Sequence, residues 1–280
     1  MSIYDISQQS WEEAGKMGRL DTLIFFHKNK YPCYINICSI VAENGHLNCL
    51  KYVHKNEYPG FNKTCSSAAK YGHLECLKYA YENGCPLDED TCYNAALFGH
   101  LDCLKYAHEN GCPWSIATCT NAAYNGHLNC LKYAHENGCP WSISTCSNAA
   151  SKGHLECLKY AHENGCHLNV HTCTMAAMYG HLECLKYAHE NNFPWSLDTC
   201  FRAAKNGHLN CLKYAHENGC PYPEELKSTI VRKILIPKWR ASVKVRPYIL
   251  HWIEDTAKTF YAENSQGRKR DHDIFVKDFQ

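Results

Sequence analysis

The dipeptide Gly-His recurs at Gly45-His46, Gly72-His73, Gly99-His100, Gly126-His127, Gly153-His154, Gly180-His181 and Gly207-His208, an unbroken step of 27 residues. One step earlier stands Gly18-Arg19-Leu20-Asp21, a degenerate copy, so the register holds eight times between about Ser7 and Gly219. A fixed period of this length commits a chain to one kind of architecture. Each unit is too small to close a core of its own, and neighbours must stack to bury their apolar faces. Length alone would suggest one large domain or two ordinary ones in 280 residues. The period overrides that prior.

One unit, read from Gly126, is GHLNCLKYAHENGCPWSISTCSNAASK. Leu128, Leu131 and Ala134 fall at helical spacing with Cys130 beside them, which predicts an amphipathic helix. Asn137-Gly138 ends it, because glycine takes the left-handed conformation after a helix cheaply, and Pro140 prevents continuation. Ser142 stands where a second helix is expected to be capped. Its counterparts Ser7, Asp88, Ser115, Asn169 and Ser196 are capping types, whereas Tyr34 and Phe61 are not. That helix runs through Cys146, Ala149 and Ala150 and stops at Gly153.

Helices of about ten residues are marginal alone in water, so they must be held by stacking. Leucine occupies the third position of every unit, Leu20 to Leu209, and the sixth, which includes Leu77, Leu104, Leu131, Leu158 and Leu185. Burying one leucine contributes about 1.5–3 kcal/mol, which makes both columns candidates for inter-repeat cohesion. Small pairs such as Ala68-Ala69 and Ala122-Ala123 let helices approach closely. The expected fold is an all-α solenoid of eight helical hairpins over residues 1–222, followed by a C-terminal helical cap and tail over 223–280.

The stretch TCxNAAxxGHLxCLKYAHENGCPW resembles the ankyrin repeat, whose core reads TPLHxAAxxGHxxVVxxLLxxGA. Ala149-Ala150, Gly153-His154, Leu155, Leu158 and Gly165-Cys166 fall on the matching positions, and the match covers about three quarters of the chain. Two departures stand out. A period of 27 rather than 33 leaves no room for the projecting β-hairpin finger, and the TPLH stretch is one residue out of step at Thr145. The Cys-rich variant is most similar to the ankyrin-repeat proteins of mimivirus-type giant viruses. The resemblance implies a non-catalytic scaffold for protein–protein interaction, with host or viral proteins as partners and no cofactor.

Twenty cysteines, about 7% of the chain, and eighteen histidines raise metal or redox chemistry as a competing reading. The cysteines resolve into three columns, Cys49 to Cys211, Cys38 to Cys200, and Cys85, Cys112, Cys139, Cys166 and Cys220, with Cys33 apart. All three fall where the ankyrin pattern places Val, Leu or Ala, and free cysteine packs as a small hydrophobe. No CxxC pair exists, the one HxxxH spacing is His167 to His171, and helices stacked about 8–10 Å apart keep members of one column from sharing a zinc ion or a disulfide. Contacts between different columns stay open. The histidines His73, His100, His127, His154 and His181 sit at the turn between helices, where an imidazole can satisfy backbone groups at a helix start. A second histidine column, His54, His108, His135, His162, His189 and His216 with Tyr81 substituting, lies near a helix end, where its charged form suits the dipole. No Ser/His/Asp set, phosphate loop or carboxylate pair stands apart from the repeat, so the chain reads as no enzyme.

Lysines at position seven, Lys51 to Lys213, are followed four residues later by glutamates such as Glu82 and Glu136, which predicts a neutralised, solvated face. Information for a partner must then lie where the units vary. Those positions are the residue before the Asn or Ala pair and the two before each Gly-His. They carry Tyr93, Phe98, Tyr124, Tyr179 and Phe201, aromatic side chains suited to anchoring a partner.

Beyond Gly219 the pattern stops, and Pro223-Glu224-Glu225 predicts a helix start. The net charge of +1 conceals an asymmetry, because residues 223–280 carry net +4 and the rest net −3. Seven basic residues and no acidic one between Leu226 and Arg246 would suit nucleic acid or an anionic membrane surface. Pro223-Glu224-Glu225-Leu226 with Ile230 and Ile234 is also similar to an F-box opening, which implies a substrate adaptor for a ubiquitin ligase. The first thirty residues lack a signal-peptide pattern and no apolar run reaches membrane-spanning length, so an intracellular, cytoplasmic location is expected.

Overall fold

A computed structural model describes residues 3–167, 169–196 and 198–221. The proposed cap, the basic stretch and the F-box-like segment of residues 223–280 lie outside them. Among the described residues there are sixteen α-helices and no strand. They form eight hairpins: α1 (Ile3–Lys16) with α2 (Leu20–Lys28), α3 (Ile37–Glu43) with α4 (Leu47–Lys55), α5 (Thr64–Tyr71) with α6 (Leu74–Glu82), and α7 (Glu89–Phe98) with α8 (Leu101–Glu109). There follow α9 (Thr118–Tyr124) with α10 (Leu128–Glu136), α11 (Thr145–Lys152) with α12 (Leu155–Glu163), α13 (His171–Tyr179) with α14 (Leu182–Glu190), and α15 (Thr199–Lys205) with α16 (Leu209–Glu217). The chain divides into two compact units, Met1–Asn169 with the first six hairpins and Val170 onward with the last two.

Within each unit the hairpins stack as the period requires. First helices lie against first helices through Cys65, Ala68, Ala69 and their counterparts, all removed from solvent, and second helices contact each other less closely. Alanine explains the difference, since its methyl group is small enough to let backbones approach closely. From α6 onward each second helix buries Cys, Leu and Ala on one face, as Cys130, Leu131 and Ala134 do on α10. The two leucine columns therefore do not share the load. Leu77, Leu104, Leu131, Leu158 and Leu185 are fully buried, whereas the third-position leucines such as Leu74 and Leu128 are the first residues of their helices and only half-buried.

The N-terminal end of the chain is closed by an aromatic cluster that the repeat pattern does not announce. Trp11 of α1 is fully buried against Phe26 at 5.3 Å and Tyr58 at 4.9 Å between ring centroids. Ser7, expected as a cap, lies inside α1, because this degenerate first helix is 14 residues long.

Helix ends follow the expected chemistry at one terminus more closely than at the other. After α10, Gly138 takes φ 86°, Cys139 N–H donates to Ala134 O at 2.9 Å and Gly138 N–H to His135 O at 3.0 Å, which satisfies the last-turn carbonyls. At the start of the first helices only Asp88 caps with its side chain, accepting from Thr91 N–H at 3.1 Å. Ser115, Ser142 and Ser196 act one turn earlier. Their hydroxyls accept from the N–H groups of Ala117, Ser144 and Asp198 at 3.2–3.3 Å, and a separate turn closes before the helix begins at threonine. Those threonines, Thr64, Thr91, Thr118, Thr145, Thr172 and Thr199, form a fully buried column. A short hydroxyl on a β-branched stem fits there, as Thr145 and Thr199 show by hydrogen bonding to Thr120 and Thr174 at 3.0 Å.

Candidate functional site

The variable positions of the first helices are those that stacking leaves uncovered. In the first unit Phe98 is 43% exposed and Tyr71, one hairpin earlier, 45%. Lys70 lies between them with its Nζ 5.1 Å from the Tyr71 ring centroid and 5.6 Å from that of Phe98. Tyr93 and Tyr124 are half-buried, and Lys152 of the next hairpin sits 4.8 Å over the Tyr124 ring. In the second unit Tyr179 is half-exposed and Phe201 half-buried. Within residues 3–169 the structure thus brings Tyr71, Phe98 and Tyr124 onto the ends of stacked first helices, with lysines over their rings. Tyr71 belongs to this group, although only its place in a variable column signalled it.

A second exposed set was missed by sequence reasoning. Ile116 and Ile143 stand at equivalent points of successive loops, with Ile143 75% exposed. The signal was present in WSIATC and WSISTC, where an isoleucine precedes the helix start and cannot reach the core.

The lysine column is paired differently from expectation. Lys78, Lys159 and Lys186 bond to Glu75, Glu156 and Glu183, three residues earlier, at 2.9–3.0 Å rather than to the glutamates four residues later. Glutamate N-terminal to lysine is the favoured order on a helix, and a carboxylate in the first turn is helped by the dipole. Where asparagine or the shorter aspartate stands at that place, lysine turns to an aromatic ring of the next hairpin. Lys51, Lys105 and Lys132 lie 5.5–5.8 Å over Tyr79, Tyr133 and Tyr160. Exposed to solvent and salt screening, these pairs contribute little to stability.

The Gly-His histidines reach backward, not onto their own helix start. His73 Nε2–H donates to Glu43 O at 3.0 Å and His46 Nε2–H to Lys16 O at 2.9 Å, carbonyls two residues before the glycine of the preceding unit. His100 and His208 make the same bond to the backbone of Lys70 and Met178. The ring lies flat on that preceding glycine, with His127 against Gly99 and His154 against Gly126. Because a main-chain carbonyl is the acceptor, the side chain that carries it can vary freely. His181 occupies the corresponding position before α14.

Burial lowers the imidazole of His100 and of His208 below the ordinary 6.5, neighbouring imidazoles push the same way, and the bond to the carbonyl opposes them. An unfolded chain then takes up protons before the folded one, so this contribution to stability is complete above pH 6.5 and is lost as the pH falls below it. The midpoint of urea denaturation is expected to be level between about pH 7 and 8 and to drop between about pH 6.5 and 5. A midpoint that rises on acidification would contradict the buried neutral imidazoles.

The second histidine column builds a ring ladder rather than serving the helix dipole. His108 and His135 stack on Trp114 and Trp141 at 4.2 Å, and each meets the edge of the next hairpin's tyrosine, Tyr133 or Tyr160, at 5.9–6.0 Å. The indole N–H groups of Trp114 and Trp141 donate onward to Asn137 O and Asn164 O at 2.9 and 3.1 Å. Where Tyr81 replaces histidine, Leu87 replaces tryptophan, and the Tyr81 hydroxyl donates to Asn110 O at 3.3 Å. One substitution compensates the other by keeping a donor on the next hairpin's asparagine carbonyl.

Nineteen of the twenty cysteines are buried and Cys33 is half-buried. Burial pushes the thiols of Cys76, Cys130, Cys157 and Cys211 up to about 11 and those of Cys103 and Cys184 to about 12, so they are protonated hydrophobes at neutral pH. Among the described residues no three His, Cys, Asp or Glu side chains converge as a metal site would require, and no helix is long and apolar enough to cross a membrane.

A family model described as "Ankyrin repeats (many copies)" matches residues 65–108, 92–135 and 173–216. No curated protein matches the chain. The crystal structure of the human ASB11 ankyrin repeat domain is similar at 21% identity with a TM-score of 0.49, over 56% of this chain and 84% of that one. Ankyrin repeats generally mediate protein–protein interaction and are typically non-catalytic. Residues 65–135 and 173–216 thus carry ankyrin repeats, here in a 27-residue register of paired helices with no strand among the described residues.

Proposed function

We propose that the repeat array, residues 1–222, is a non-catalytic scaffold that captures protein partners on the variable ends of its first helices. The observation that carries this reading is the pairing of exposed Phe98 and Tyr71 around Lys70 in an otherwise closely packed stack. Aromatic rings with an adjacent cation lose little conformational entropy on binding and are the side chains that dominate protein interfaces. Tyr93 and Tyr124 extend the surface within the first unit, and Tyr179 and Phe201 offer the same chemistry in the second. The resemblance of the Cys-rich unit to giant-virus repeats makes host or viral proteins the partner class.

Replacing Tyr93, Phe98 and Tyr124 together by serine tests the assignment. Quantitative affinity capture with the full chain is expected to lose a defined set of proteins that the parent retains. The melting temperature should stay nearly unchanged, because none of the three side chains is fully buried. Capture of the same proteins in the same amounts would sink it. The same assay on residues 1–222 reads out whether residues 223–280 recruit anything of their own.

A further inference from the structure

Five of the eight hairpins bring two of the cysteine columns together. Cys65, Cys92, Cys119, Cys146 and Cys200 lie in the first turn of a first helix. Cys85, Cys112, Cys139, Cys166 and Cys220 follow the second helix of the same hairpin, 20 residues later. Cys85 Sγ is 3.3 Å from the backbone nitrogen of Cys65, and Cys65 Sγ is 3.6 Å from Cys85 O. Cys119 Sγ is likewise 3.8 Å from Cys139 O, and the remaining three pairs hold the same two places in their hairpins. All ten thiols are at most 3% exposed.

Packing alone does not demand the pair. In the hairpin of α3 and α4 the loop position is Tyr58, whose carbonyl lies 3.3 Å from Cys38 Sγ. In the hairpin of α13 and α14 it is Phe193, buried with its carbonyl 3.8 Å from Cys173 Sγ. A large ring therefore fills the same place in the same fold. Where a thiol stands there instead, it faces the helix turn that carries the other cysteine, as Cys85 Sγ does at Cys65 N. The first cysteine column, on the second helices, takes no part in these pairs.

We propose that the five pairs Cys65–Cys85, Cys92–Cys112, Cys119–Cys139, Cys146–Cys166 and Cys200–Cys220 are disulfide sites, each a covalent staple across one helical hairpin. The oxidant is a low-molecular-weight disulfide of the glutathione class. The loop thiol gives up its proton and its sulfur attacks the small disulfide, which forms a mixed disulfide and releases one small thiol. The helix thiol then gives up its proton and displaces the second small thiol. Two protein S–H bonds are lost, one protein S–S bond is gained and one small disulfide is reduced to two thiols.

The loop cysteine is the attacking group for two reasons. It sits in a connecting segment that can open without unravelling a helix. It also accepts from the partner thiol and from backbone N–H groups, which hold Cys85 and its four counterparts below the ordinary thiol value. Closing a loop in the unfolded chain raises the stability of the folded one, so oxidation would stiffen these hairpins one at a time.

The test is to equilibrate the folded full chain with oxidised glutathione, block remaining thiols under denaturing conditions and map the peptides by mass spectrometry. The expected result is five bridged peptide pairs, alkylated Cys38, Cys173 and first-column cysteines, and a melting temperature raised until dithiothreitol is added. Cys139→Ala should remove one bridge, leave Cys119 as a free thiol and keep the other four. Bridges scattered among columns, single mixed disulfides on the loop cysteines, or a soft metal ion that co-purifies and blocks oxidation would each overturn the proposal.

Discussion

Leu131→Ala is expected to destabilise the first unit by about 2–5 kcal/mol, read as a fall in the midpoint of urea unfolding. Leu131 is fully buried on α10, and hairpins stand on both sides of it within residues 3–169. The cavity left by its removal would be walled by neighbouring α-helices held by their own leucines, so collapse around it is limited. Leu128, three residues earlier, provides the contrast. It starts the helix half-buried, and truncating it should cost about 1 kcal/mol or less. Equal losses at the two sites would show that cohesion is shared between the columns and would refute the assignment of the core to the sixth position.

Gly72→Ala is expected to cost about 2–4 kcal/mol, whereas Gly84→Ala in the next turn should cost about 1 kcal/mol. Both glycines hold left-handed backbone, φ 77° and 94°, so the conformational penalty of a side chain is common to them. What differs is the neighbour. A Cβ on Gly84 would meet open space, but one on Gly72 would lie 2.5 Å from Nδ1 of His100 and 2.8 Å from its Cε1. That ring cannot swing aside without giving up its bond to the backbone of Lys70. Removing the ring with His100→Ala in the Gly72→Ala background should therefore recover part of the loss. Denaturation of the two single variants and the double variant decides the point, and no recovery in the double variant would mean that the close approach is unimportant. Lys30, Glu57 and Asn192, with φ 55–62° where the other five units have glycine, show that the Gly84-type position tolerates a side chain.

The comparison of these two glycines shows how far a repeat can be read without coordinates. Both punctuate a helix, and the sequence separates them only in that the Gly72 column is glycine in all eight units and the Gly84 column in five. Their different burdens arise from a residue 28 positions downstream of Gly72, in another hairpin. The lysine column teaches the same lesson on a smaller scale. Glu75 and Glu82 both stand within one helical turn of Lys78, and which of them pairs with it was decided by helix polarity. The serine caps were displaced by one turn because a buried threonine, not the serine, begins the helix.

For the partner surface the sequence located the variable columns, and Phe98 and Tyr179 stand exposed in the fold. It could not rank them, since Tyr93 and Tyr124 occupy the same columns and are half covered by neighbouring hairpins. The thiol pairs were equally out of reach, because a spacing of 20 residues has no meaning until two helices fold back on each other.

The period, the hairpin unit, the all-helical class and the buried small-residue columns were determined by the sequence alone, because a helix of nine residues has one way to hide Leu, Cys and Ala at fixed spacing. Tertiary structure decided what each repeated side chain touches across the interface. Stacking brings together groups about 20 to 30 residues apart, so that histidine meets the preceding glycine and tryptophan the next asparagine, while closure of a single hairpin brings the Cys85 thiol to the backbone of Cys65.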